Sequence, residues 1–217
     1  MTSRSRNQVP DPDVTSALGD PGPGVPMTAP ELGEHMAHLV WENFGEALSD
    51  PTIIRLLSLA GVRFDDGLPP ERAADEFLIL HLWAHTRAVQ LGLGDRMDPL
   101  EVRHILDAFH DAIFQDLGRL GSSPGEIAIF EQRIANRYRE YHGAAEGSDL
   151  ALGAAAAAHL REQGGGDEMR PPPPARDLVA RFLARHTREM AQPLADFLTD
   201  LHLAGPMPPP RGRPARP

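Results

Sequence analysis

The chain contains no cysteine and no lysine, and each absence excludes a group of chemistries. Without cysteine there can be no disulfide, iron–sulfur cluster, thiolate zinc site or cysteine nucleophile. Without lysine there can be no Schiff-base residue, no pyridoxal-phosphate anchor and no phosphate-binding P-loop lysine. This narrow catalytic repertoire favours a protein that is not an enzyme, with no catalytic residue and no organic cofactor.

Long hydrophobic runs are also missing, and basic residues are outnumbered. The longest apolar stretches, 77–80 and 154–158, are far shorter than the roughly 20 residues that cross a bilayer. No apolar segment follows Arg4 and Arg6, so we expect no signal peptide and a cytoplasmic protein. The formal net charge is 21 − 31 = −10. Such an acidic chain is a poor partner for nucleic acid or an anionic membrane, and we expect neither.

What the chain does contain is a series of helix start signals. A capping residue followed by an early proline, or by glutamate three positions later, is a strong signal of this kind. No hairpin pattern competes with these signals. The sequence therefore predicts an all-α fold, a compact bundle of five or six helices over 28–163. The helices begin near Thr28, Asp50, Pro70, Asp98, Ser123 and Ser148.

The third of these helices, about 70–93, is the predicted centre of the bundle. Its segment 77–84 reads FLILHLWA, and a helix that is apolar on nearly every side is buried on nearly every side. The two following helices carry one apolar stripe each and should pack around it. The stripes consist of Val102, Leu106, Phe109, Ile113 and Leu120, and of Ile127, Phe130, Ile134, Tyr138 and Tyr141.

The two ends and one internal segment have a different composition. Residues 1–27 are polar and rich in proline and glycine, and 204–217 are rich in proline and arginine, so we expect both to be disordered. Residues 164–175 combine three glycines with four prolines, which is typical of a linker. They precede a predicted amphipathic helix at 176–203, which this arrangement would tether to the bundle.

The 176–203 helix is the predicted partner-binding element. Its apolar residues recur every three or four positions and form a narrow, coiled-coil-like stripe that also contains His186, while Pro193 lies within the helix. Such a stripe either docks on its own bundle, pairs with a second copy, or binds another protein. Our main hypothesis is therefore a non-catalytic interaction or regulatory module. The predicted partner-binding residues are Val179, Phe182, Leu183, Met190, Leu194, Phe197 and Leu201.

The alternative hypothesis is a metal- or small-ligand-binding bundle, oxidase-like or a sensor, centred on His81 and His85. Histidines four residues apart share a helix face and can share a divalent metal ion. The glutamate that follows the first histidine in metalloprotease helices is absent. Further ligands would come from Glu76, Glu131 or Tyr138. We favour a structural interpretation, in which one histidine is bonded to a carbonyl in the core and the other lies at its boundary.

Three further motifs favour structural roles. Glu101-x-x-His104 resembles half of a di-iron carboxylate motif, but such sites need it twice, and His104 should face solvent. Residues 121–125 match the G-x-S-x-G pattern of a nucleophile elbow, yet a helix precedes them and Ser123 is a helix cap. Tyr138 and Tyr141 end an apolar stripe, where tyrosine rings commonly pack.

Overall fold

The computed structural model describes residues 27–164 and 172–201, and the predicted all-helical fold is confirmed there. The predicted disordered or linking segments, 1–27, 164–175 and 204–217, lie mostly outside the described residues, as do the last two residues of the predicted 176–203 helix. No helix in the described part is long and apolar enough to cross a membrane. The helices are α1 (Ala29–Ser49), α2 (Pro51–Ala60), α3 (Glu71–Leu93), α4 (Pro99–Arg119), α5 (Pro124–Gly147), α6 (Asp149–Gln163) and α7 (Pro173–Asp200).

Five of the seven described helices begin where a side chain satisfies a free backbone N–H group, and α3 and α7 begin after a proline instead. Complete capping boxes open α1 and α5, where Thr28 and Ser123 each exchange hydrogen bonds with the glutamate three residues later. Asp50, Asp98 and Ser148 cap α2, α4 and α6 by accepting a backbone N–H. These caps fix the ends of the helices, and packing of their apolar faces provides most of their stability.

The third helix, α3, is buried over most of its length and contacts α1, α4, α5, α6 and α7. Its apolar residues, including Phe77, Ile79 and Leu82, lie in the main core cluster. Since the segment is apolar on almost every side, it needs neighbours on every side, and the other helices supply them.

The last helix, α7, packs along both α3 and α6, and these are the most extensive helix pairings in the described chain. It runs parallel to α3 and antiparallel to α6. Two glycines allow the close approach: Gly92 of α3 lies against Ala195 and Leu198, and Gly153 of α6 lies against Ala180. A Cβ atom added at Gly92 would be 2.7 Å from the Ala195 carbonyl oxygen. The helix begins three residues earlier than predicted because proline fits the first helical turn.

The buried line of α7 agrees with the predicted stripe only in its first half. There Val179 and Leu183 lie in the chain's own core. In the second half the small residues Ala191 and Ala195 occupy the contact positions, where they pack against alanines of α3. Phe197 is left 44% exposed. The remaining predicted residues, Phe182, Met190, Leu194 and Leu201, are partly buried.

Candidate functional site

The most unusual feature of the core is a contact between two histidines, His81 on α3 and His186 on α7. Their Nε2 atoms are 3.4 Å apart, and His81 is completely buried. The Nδ1 atom of His81 is 2.9 Å from the Phe77 carbonyl oxygen, which can only accept a hydrogen bond. The Nδ1 atom therefore carries the proton. The Nε2 atom of neutral His81 presents its lone pair to His186.

Aromatic rings hold this pair of histidines in place. The His186 ring stacks on Phe77 at 5.8 Å and on Phe182 at 5.5 Å, and Phe44 meets the His81 ring edge-on at 5.7 Å. Burial, together with the neighbouring His186, lowers the pKa of His81 to about 3. Burial also lowers the pKa of His186, although Glu189 and Asp50 oppose that shift. Both imidazoles are therefore neutral at physiological pH.

The structure brings His81 together with His186, whereas His85 faces other neighbours. The Nδ1 atom of His85 donates to the His81 carbonyl oxygen at 2.9 Å. Its Nε2 atom lies 3.5 Å from the Asn43 side-chain nitrogen, and its ring stacks on Phe109. Within residues 27–164 and 172–201, no three His, Cys, Asp or Glu side chains converge on a common point. Metal binding by the predicted pair His81 and His85 therefore stays a prediction.

Glu76, a predicted further ligand, is instead engaged by two arginines of α5. Its side chain is fully buried, accepts from Arg137 Nε at 2.8 Å and from Arg133 at 3.0 Å. Burial tends to raise the pKa of Glu76, but the two guanidinium groups outweigh it and the pKa is lowered. Arg133 also bonds Asp75 at 2.7 Å, and burial raises the pKa of Asp75. This cluster joins α3 to α5 and leaves no free carboxylate for a metal.

Tyr138, another predicted further ligand, belongs to a network of partly buried hydrogen bonds. His110 Nδ1 donates to the Leu106 carbonyl at 2.7 Å, so its Nε2 accepts from the Tyr138 hydroxyl at 2.9 Å. Thr86 completes the network by donating to the same hydroxyl at 3.1 Å. Burial raises the pKa of Tyr138. Each polar group of this hydrogen-bond network has a partner, so the network indicates a structural role for Tyr138.

The remaining motifs from the sequence, around His104, Tyr141 and Ser123, occupy structural positions in the described chain. Glu131, His104, Asp107 and Asp111 are exposed, whereas Tyr141 is buried edge-on against Trp83. The hydroxyl of Ser123 accepts the backbone N–H of Glu126, as expected for a helix cap. The G-x-S-x-G match is therefore the start of α5.

The surface of α7 carries a row of apolar side chains, which we name the outer edge. Leu178 and Phe197 are 51% and 44% exposed, and Phe182 and Leu194 between them are partly buried. The row exists because Ala191 and Ala195, rather than the larger residues, take the contact positions against α3. Spacing alone could not reveal it, since the stripe counted from the sequence treats every apolar residue as equally buried.

Comparison of the chain with protein-family models, with curated proteins and with solved structures gives no match. The geometry of its own residues is therefore the guide to its function.

Proposed function

We propose that the protein is a non-catalytic helical interaction module that binds a second copy of itself through the outer edge of α7. Helices α1–α6 form the body of the module, and α7, joined to it by residues 165–171, carries the binding surface. In this arrangement the inner face of α7 stays on its own bundle while the outer edge meets the partner.

The exposed apolar row on α7 is the observation that carries this proposal. Large apolar side chains that share one exposed face of a helix are typical of a binding site. Phe197 and Leu178 are the most exposed members, and aromatic side chains frequently dominate the binding energy of an interface. By contrast, Val179 and Leu183 lie in the chain's own core and are not accessible to a partner while α7 is docked.

The distribution of charge along α7 favours antiparallel pairing of two copies. Residues 173–188 contain four arginines and one aspartate, a net charge of +3, and residues 189–200 contain three acidic residues and no arginine, a net charge of −3. An antiparallel pair places each positive half beside the negative half of the partner. In the same register Leu178 lies near Phe197 of the other copy and Phe182 near Leu194. Their spacings along the helix, four and three residues, both correspond to about one turn.

Helix stability does not explain this charge distribution. The macrodipole favours acidic residues near the N-terminus of a helix and basic residues near its C-terminus. In α7 the first turn has no acidic residue and the last turn has no basic one. Complementarity to a partner with reversed direction accounts for the same pattern, since opposite charges across an interface steer association and fix its register.

Sedimentation velocity of the full-length protein over a series of concentrations tests the proposal. We expect a monomer–dimer equilibrium, and we expect Phe197→Ser to weaken it at least about tenfold, which corresponds to about 1.4 kcal/mol. The matched control is Ile129→Ser on α5, which removes an apolar side chain that is even more exposed (62%) from another surface. This control should leave the dissociation constant unchanged.

Charge reversal tests the direction of pairing. Antiparallel α7 helices place Arg181 close to Asp196 of the other copy, so Arg181→Glu should weaken the dimer and the double variant with Asp196→Arg should restore it. In a parallel pair Arg181 would face its own counterpart, and the single reversal would not be rescued. A wild-type protein that stays monomeric at its highest soluble concentration would overturn the proposal.

A further inference from the structure

We propose that His81 and His186, together with Met190, form a binding site for a soft monovalent ion, Cu(I). The distance between the two imidazoles is the first observation. Two nitrogens bound at about 2.0–2.1 Å to one metal ion are about 3.3–3.6 Å apart when the bond angle lies between the tetrahedral and the trigonal value. The Nε2 atoms of His81 and His186 are 3.4 Å apart, which is long for a direct hydrogen bond between them.

The orientation of the rings is the second observation. Metal-binding histidines usually donate their other ring N–H to a carbonyl or carboxylate, which fixes the ring and leaves the ligating nitrogen unprotonated. His81 has this arrangement through its Nδ1 hydrogen bond to the Phe77 carbonyl. Stacking between Phe77 and Phe182 fixes the ring of His186. The site is therefore built in advance and loses little side-chain freedom when an ion binds.

The surroundings of the pair select the kind of ion. Its ring neighbours are the apolar Phe44, Phe77 and Phe182. In residues 27–164 and 172–201 neither histidine forms an ion pair, and Glu189 and Asp50 act on His186 only from a longer distance. A hard divalent cation would be poorly compensated there. A monovalent ion brings less charge into these apolar surroundings.

Met190 supplies a third ligand of the matching type. It lies one helical turn beyond His186 on α7. It also packs against the cluster that Ala84 and Ala88 of α3 form with Ala191 and Ala195 of α7. Thioether sulfur favours Cu(I), and imidazole also suits copper. Three ligands of two nitrogens and one sulfur are enough for Cu(I), so the absence of a third His, Cys, Asp or Glu beside the pair in the described chain is no obstacle.

This site would join α3 to α7 because each helix contributes a ligand. Ion binding would therefore hold α7 against the bundle. It does not require the self-association proposed above, since the two exposed residues of the outer edge, Leu178 and Phe197, do not belong to the ion site. The failure of one proposal leaves the other standing.

Anaerobic competition for Cu(I) against a chromophoric chelator tests the site, with Ag(I) as a redox-inert probe in thermal melts. We expect one ion per chain, a higher melting temperature with Ag(I), and an X-ray absorption spectrum that reports two nitrogen neighbours and one sulfur. His186→Phe keeps a stacked ring and removes a ligand, so it should lower the affinity at least a hundredfold. Met190→Leu should lower it about tenfold and remove the sulfur signal.

The matched control is His104→Gln, which removes an exposed histidine on α4 and should leave the affinity unchanged. Two results would overturn the assignment. One is complete loss of Cu(I) to the chelator together with no effect of Ag(I) on the melting temperature. In that case the two imidazoles share only a hydrogen bond. The other is unchanged binding in folded His186→Phe, which would place the ions on surface histidines.

Discussion

The two flanks of α3 bury titratable groups in opposite ways. On the α5 side Glu76 is charged and paired with Arg133 and Arg137, and long side chains bridge helices whose backbones make few contacts. On the α7 side the buried groups are neutral imidazoles, and glycine and alanine allow the backbones to come close. Hence the α5 flank should be sensitive to loss of charge, and the α7 flank to added volume and to protons.

Removal of the buried carboxylate should have the largest effect on stability. In Glu76→Gln two partly buried guanidinium groups lose their shared counter-charge. Breaking a buried ion pair from one side costs about 3–5 kcal/mol, and we expect about 3 kcal/mol here because Asp75 still pairs with Arg133. Urea unfolding at neutral pH measures the change.

The control for this variant is Asp107→Asn, which removes one carboxylate from an exposed pair with Arg103. Exposed pairs contribute at most about 1 kcal/mol. If Glu76→Gln cost no more than this control, the arginine cluster would not hold α5 to α3.

Added volume at Gly92 should be the largest disturbance of the α7 flank. In Gly92→Ala the new methyl group meets the Ala195 carbonyl oxygen and Leu198, both parts of α7. Overpacking of this kind costs about 1–3 kcal/mol. We expect a loss of about 2 kcal/mol in urea unfolding and, because the α7 contact loosens, faster hydrogen exchange of α7 amides than of α5 amides.

Gly143→Ala is the matched control, since a Cβ atom at this helical glycine meets nothing within 4 Å. Alanine is a better helix former than glycine by up to about 1 kcal/mol, so this variant should be slightly more stable than the wild type. Equal stabilisation by Gly92→Ala would mean that α7 does not pack closely on α3.

The same contrast explains what the sequence could reveal. Helix caps and apolar periodicity are local signals, and they were enough to predict the all-α fold and the helix starts. The contact between His81 and His186 joins residues 105 positions apart, so no local pattern contains it. The outer edge of α7 was hidden for another reason. Periodicity counts large apolar residues, but a close helix contact selects alanine and glycine, and this moves Phe197 to the surface.

The ion pairs of Glu76 are also long-range contacts, but the sequence does contain a partial signal for them. Arg133 and Arg137 are four residues apart, which places them on one face of α5, and Asp75 and Glu76 are adjacent acids on a helix that is otherwise apolar there. These two patterns indicate a charge cluster in hindsight. Pairing them required knowledge of which helix faces meet, and that is decided by packing of the whole chain.

The two flanks should differ in how mild acid changes the free energy of unfolding. The pKa of buried His81 is about 3, against a usual value of 6.5, so between these values the unfolded chain binds a proton that the folded chain does not. The free energy of unfolding is therefore highest above pH 6.5 and falls as the pH drops below it, by up to about 1.4 kcal/mol per pH unit for each such histidine. The lowered pKa of His186 has the same sign.

Glu76 behaves differently because its folded pKa lies below its usual value of 4.5. Its contribution is complete above that value and is lost only at lower pH, so loss of stability between pH 6.5 and 5.5 belongs to buried histidines. Urea unfolding at pH 7.5, 6.5 and 5.5, with a chelator present, should show this loss in the wild type and a smaller loss in His186→Phe. Equal losses in the two proteins would mean that His186 takes up its proton in the folded state, and the α7 flank would then tolerate charge as the α5 flank does.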